Sequence, residues 1–166
     1  MRASKVHPDA DELIETDTGL VCSAAFRYLT TRKLELASRT LTPLSAVAIM
    51  VDGDAADRRR VGALLRATVR QADSIGALGG HFVGVLLDDT TETGGVWAAE
   101  RVRSALAGLA EALRPTASFG VACYPTHALD GGGLWTSAGW AALSGRRLGK
   151  NRIEVARLGE PASDHL

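Results

Sequence analysis

Arg70 and Asp73 stand three residues apart, a spacing that brings two side chains at a helix end to the same side. A carboxylate there can accept two hydrogen bonds from a planar donor edge, and a guanidinium fork can grip phosphate or paired ring acceptors. Taken alone, the pair is better read as an ordinary surface ion pair contributing about 0.2–0.5 kcal/mol. Other chemistry-bearing types assemble less well. The two cysteines, Cys22 and Cys123, have no CxxC spacing, and His7, His81, His127 and His165 are scattered, so no zinc site is read. The stretch Gly145 to Asn151 is one residue short of a phosphate-binding loop and ends in Asn rather than Ser or Thr. Arg58, Arg59 and Arg60 read as a polar helix face or a basic contact for a protein. Trp97, Trp135 and Trp140 are too dispersed for a shared stacking platform and are assigned to core or interface packing.

The chain of 166 residues fits one core. Hydrophobic residues at 46% and charged ones at 23% exclude a wholly disordered chain or a collagen-like repeat. Nineteen basic residues balance nineteen acidic ones, so no global field draws the protein to a nucleic-acid polymer or an anionic membrane, and any anionic ligand must be held locally. The N-terminus lacks the apolar run of a signal peptide, and Leu44–Val51 is far too short to cross a bilayer. The expectation is a cytoplasmic protein with reduced thiols and no membrane insertion.

The elements that would position these residues follow from periodicity. Ser23 to Ser38 suits a helix, stopped by Pro43; Ser45–Val51 is a continuous apolar strand buried on both faces. Asp54 is placed to cap a helix carrying Val61, Leu64, Leu65 and Val69, expected to finish near Asp73. Ile75–Leu78 and His81–Leu87 flank Gly79-Gly80 as a hairpin. A second amphipathic helix carries Val102, Leu106, Leu109 and Leu113 up to Pro115. Thr116–Tyr124 is a strand, Gly131 to Gly133 a flexible entry, Leu134–Leu148 a helix and Arg152–Ala156 a last strand. The order β-α-β-β-α-β, then α-β, predicts an α/β (α+β) ferredoxin-like fold: an antiparallel central sheet with helices packed around it. Residues 1–14 and 157–166 are expected to be flexible tails on a domain at 15–156.

Several segments, in order, are similar to one family. Arg70 to Leu87, with Gly79-Gly80-His81-Phe82-Val83 at its centre, resembles the signature of GGDEF domains, the diguanylate cyclases. Glu15-Thr-Asp-Thr-Gly19-Leu20 resembles the family's D-x-L-T-G-L, Ala99 to Arg103 its A-E-R-I-R, Ser118 to Ala122 its S-x-G-V-A, and Gly149 to Arg152 its G-R-N-R. The resemblance implies the nucleotide-cyclase palm version of the ferredoxin-like fold, and a relation to enzymes that join two GTP molecules into cyclic di-GMP with two divalent metals.

Three departures qualify the activity. Asp52 matches the family's strand-end metal ligand, but His81-Phe82 replaces both acidic residues of the turn, and Mg²⁺ takes hard anionic oxygens. His81 is read as a turn residue. Asp52-Gly53-Asp54 runs almost directly into the next helix, where the family has a segment that reads guanine. Arg146 and Lys150 lie where the family places triphosphate-binding Lys and Arg, with the types exchanged, and also suit the C-terminal end of a helix. By contrast, Arg70 and Asp73 keep the spacing to Gly79-Gly80 of the family's inhibitory site for cyclic di-GMP, and Arg101 aligns with a second arginine that clamps the same ligand. The expectation is a non-enzymatic cyclic di-GMP receptor using Arg70, Asp73 and Arg101. It needs no metal or cofactor, and passes the signal to a protein partner or a homodimer. The alternative is a nucleotide-independent interaction or dimerisation module.

Overall fold

The computed structural model describes residues 13–16 and 18–159. In chain order these form α1 (Ser23–Thr40), β1 (Leu44–Asp52), α2 (Ala55–Thr68), β2 (Ser74–Gly79), β3 (Phe82–Asp88), α3 (Glu92–Ala107), a 3₁₀ turn (Glu111–Leu113), β4 (Thr116–Tyr124), α4 (Gly131–Arg147) and β5 (Ile153–Val155). The sheet order is β2-β3-β1-β4-β5, antiparallel except for the β4–β5 pair. This is the expected α+β, ferredoxin-like arrangement, extended by α1, α4 and β5.

The two faces of the sheet differ in side-chain size. On one, Val47, Ile49, Val51, Val83, Val85, Phe119 and Val121 pack beneath α2 and α3, which contribute Val61, Leu65, Val102 and Leu106. The other face carries small residues. Register aligns Gly76 with Gly84, Gly84 with Ala48 and Ala48 with Gly120, one row across four strands. A methyl group at Gly76 would lie 2.2 Å from the Phe26 ring, and one at Gly120 would lie 1.9 Å from the Ala138 carbonyl oxygen in α4. The row therefore lets the α4 backbone lie directly on the sheet and seats the Phe26 ring of α1 beside it. Phe26 and Trp135 meet there at 5.3 Å between centroids, and the Trp135 indole N–H donates to the buried Thr30 hydroxyl, which donates to the Phe26 carbonyl.

Several boundaries differ from expectation for local reasons. α2 stops at Thr68 rather than near Asp73, because Val69 turns extended and the Asp73 carboxylate draws the following residues into a turn. α3 stops at Ala107, where Gly108 closes the helix; Leu113 belongs to the separate 3₁₀ turn and is half exposed. Gly131 to Gly133 form the first turn of α4, since the Asp130 carboxylate accepts the Gly133 N–H as an N-cap. The hairpin turn is Gly80-His81, one residue later than expected, with positive φ at Gly79 and Gly80. Ile14, assigned to the leading tail, bridges Val21, which in turn bridges Gly76 at the β2 edge. The Leu13 carbonyl accepts the Cys22 N–H; of the two expected tails, residues 1–12 and 160–166 lie outside the described residues.

Gly120→Ala places its methyl against backbone that cannot rotate away, and should destabilise the protein by about 3 kcal/mol in urea unfolding. Gly139→Ala meets nothing within 4 Å, and should leave stability unchanged or raise it by roughly 0.5–1 kcal/mol.

Candidate functional site

At the end of the sheet where β2 begins, Arg70 to Asp73 form a closed turn. The Asp73 N–H donates to the Arg70 carbonyl at 3.1 Å, and the Arg70 N–H donates to Asp73 Oδ2 at 3.1 Å. The side chain of Asp73 thus fixes the backbone of Arg70. Asp73 Oδ1 and the exposed Arg70 guanidinium carry no hydrogen bond or ion pair among the described residues. They do not form the i, i+3 ion pair that their spacing allows.

Lys33 of α1 holds this turn in place. Its ammonium donates to the Ala72 carbonyl at 3.1 Å and pairs with Asp88 at the end of β3. Sequence reasoning missed Lys33, since its partners lie 39 and 55 residues away and no local pattern marks it.

At the opposite end of β1, Asp52 is only 14% exposed and faces two cations: Arg146 Nε is 2.9 Å from Oδ1 and Lys150 Nζ is 3.7 Å from Oδ2. Arg146 and Lys150 therefore do more than complement a helix end. Two residues after Asp52, α2 begins with a reciprocal capping box between Asp54 and Asp57. The Asp57 N–H on the Asp54 carboxyl holds it below the ordinary carboxylate range. His81 is exposed in the hairpin turn; its Nδ1 lies 3.4 Å from Arg58 Nη1, and its carbonyl accepts the Val51 N–H. Beside it, a groove of about 270 Å³ runs between the leading segment and the hairpin, lined among others by Glu15, Thr18, Arg58 and Phe82.

Arg101 lies on α3, exposed and without a hydrogen bond or ion pair to Arg70 or Asp73. Its neighbour Arg103 is held by Glu100 through bonds of 3.0 and 2.6 Å, which lower the Glu100 carboxyl below its usual range. The structure brings Arg70 and Asp73 together, then, and leaves Arg101 apart. Trp135 is buried in the core, Trp140 is half-buried, and Trp97 is 73% exposed on α3, outside the core.

The order and pairing of these elements recur in known structures. The GGDEF domain of TpbB (YfiN) from Pseudomonas aeruginosa matches with a TM-score of 0.80 and 22% identity, over 89% of this chain and 96% of that one. The chain has the GGDEF-domain fold. The GGDEF domain of DgcB from Caulobacter crescentus, in complex with c-di-GMP, matches at TM-score 0.73 and 16% identity over 90% and 98% of the two chains. The active GGEEF domain of a Vibrio cholerae diguanylate cyclase matches at 0.71 and 18% over 84% and 99%. No family model and no curated protein sequence matches the chain. Among the described residues no three His, Cys, Asp or Glu side chains cluster as a metal site, and no helix is long and apolar enough to cross a membrane.

In this GGDEF fold the Arg70–Asp73 turn depends on Lys33. Lys33→Ala should cost about 1 kcal/mol in denaturant unfolding, because the ammonium is mostly shielded and its loss leaves the Ala72 carbonyl and Asp88 without a partner. The same variant should speed native-state amide exchange at residues 70–74 more than in α4.

Proposed function

We propose that this chain is a non-catalytic receptor domain for cyclic di-GMP in bacterial signalling. It binds the dinucleotide through Arg70 and Asp73, and Arg101 supplies a contact from a second copy or an adjoining surface. The observation that carries this reading is the preformed turn, in which Asp73 Oδ2 holds the Arg70 backbone N–H while Asp73 Oδ1 and the exposed Arg70 guanidinium are not paired with each other. Asp73 offers acceptors to the N1–H and exocyclic amine of guanine, while Arg70 reaches phosphate or the O6/N7 edge. The c-di-GMP complex of the similar DgcB domain supports the choice of ligand. A protein partner is consistent with SiaD, a diguanylate cyclase solved with its activator SiaC, of which this chain covers 62%.

The lack of catalysis is inferred from the donor set. Mg²⁺ needs hard, anionic oxygens with open coordination positions; Asp52 faces Arg146 and Lys150 instead, and the turn offers an imidazole and a phenyl ring. These residues do not fit two divalent metals. The two-residue link from β1 to α2 also leaves no segment there to enclose a guanine. Positioning and charge neutralisation, both needed for phosphoryl transfer, are therefore missing together.

Incubation with GTP and Mg²⁺ or Mn²⁺ should give no cyclic di-GMP by chromatography above a no-protein control. Restoring acids by His81→Asp and Phe82→Glu should not change this, and product from the wild type overturns the non-catalytic reading. Calorimetry with cyclic di-GMP tests the receptor reading. Arg70→Ala and Asp73→Ala should each weaken binding roughly 10- to 100-fold, the loss of one charge-assisted contact. Absence of binding by the wild type would leave the interaction-module reading in its place.

A further inference from the structure

α3 buries Gly95, Ala98, Ala99, Val102 and Leu106 against the sheet, so the side of the helix away from the sheet carries Thr93, Trp97, Arg101 and Ser104, all exposed. Trp97 and Arg101 are four residues apart, one helical turn, which sets their Cβ atoms about 6 Å from each other. Neither side chain has a hydrogen-bond, ion-pair or ring partner among the described residues. The nearby Arg103, by contrast, is fully engaged by Glu100. Leaving an indole 73% exposed forgoes the burial that makes large aromatics stabilising. A protein-docking patch would surround it with further apolar side chains, yet the residues one turn away are Thr93, Gly94, Arg101 and Glu100, the last already paired with Arg103. A lone aromatic face flanked by a guanidinium is the arrangement that stacks a base and holds the attached phosphate.

We propose that Trp97, with Arg101 one turn later, is a stacking platform for a guanine of the cyclic dinucleotide. This inference rests on the receptor reading given above and adds to it a contact of a different chemical kind. The dinucleotide has two equivalent guanines, so one can lie against an Arg70–Asp73 turn while the other stacks on the indole of a second copy. Trp97 supplies the flat apolar face, and Arg101 the positive charge beside it.

Cyclic di-GMP titrated into the full chain, followed by tryptophan fluorescence and by calorimetry, tests the platform. Wild-type emission should be partly quenched, because Trp97 is exposed while Trp135 is buried and Trp140 half-buried. Trp97→Ala should weaken binding about tenfold, the cost of one lost base–aromatic stack. Trp97→Phe should keep affinity within about threefold while losing most of the quench, since a smaller ring still stacks. Binding that Arg70→Ala abolishes but Trp97→Ala leaves intact overturns the platform and retains the receptor. A ligand-free dimer that dissociates in Trp97→Ala with unchanged ligand affinity also overturns it, in favour of a protein contact. If the wild type binds no dinucleotide, the receptor reading and the platform fail together.

Discussion

A row of residues without bulk, Gly76, Gly84, Ala48 and Gly120, governs this molecule because it decides how close two helices come to the sheet. Phe26 occupies the space above Gly76 and Gly84, and the backbone of α4 occupies the space above Gly120. Above Gly120 this replaces the side-chain layer that normally separates a helix from a sheet, while above Gly76 and Gly84 it makes room for an aromatic ring. The opposite face needs no such row. Its valines, isoleucine and phenylalanine meet α2 and α3 by ordinary interdigitation.

Both helices seated on the row send cations to acidic side chains at the sheet's ends, and they do so at opposite ends. From α1, Lys33 reaches Asp88 and the Ala72 carbonyl, at the end where β1 starts. Arg146 near the end of α4, with Lys150 just beyond it, reaches Asp52 where β1 finishes. The depth of packing in the middle thus sets the geometry at both ends. A helix lifted by one methyl group would withdraw its cation as well as its apolar contacts.

Strand and helix identities were legible because they rest on local patterns. The alternation of small and large residues in Ala46-Val47-Ala48-Ile49 marks a strand covered on both sides, and Asp54 declares the start of α2 by its own side chain. Helix ends were less legible. Val69, Gly108 and the glycines after Asp130 are weak signals that a nearby carboxylate or turn decides. Arg70 and Asp73 were singled out by the resemblance to GGDEF domains together with their spacing to Gly79-Gly80, but the form of their association was not legible. Asp73 bonds the backbone N–H of Arg70, leaving the guanidinium free, a choice invisible in the residue types. The link from Lys33 to the turn and the convergence of Arg146 and Lys150 on Asp52 are products of tertiary packing, and no sequence window contains both partners.

The separation of the two regions follows from β1 itself. Register places Ala46 opposite Leu86, which pairs with Ser74 directly after the Arg70–Asp73 turn, while Asp52 lies six positions further along the strand. At about 3.3 Å per residue, that is roughly 20 Å of rigid, fully paired backbone. Side chains at one end therefore do not share partners with those at the other, and contributions separated by more than about 10 Å without common partners are close to independent. The pairing of Asp52 with Arg146 and Lys150 can thus form without perturbing the turn at the far end. What couples the two ends is the packing of α1 and α4 on the glycine row, a constraint on the fold rather than on either set of polar side chains.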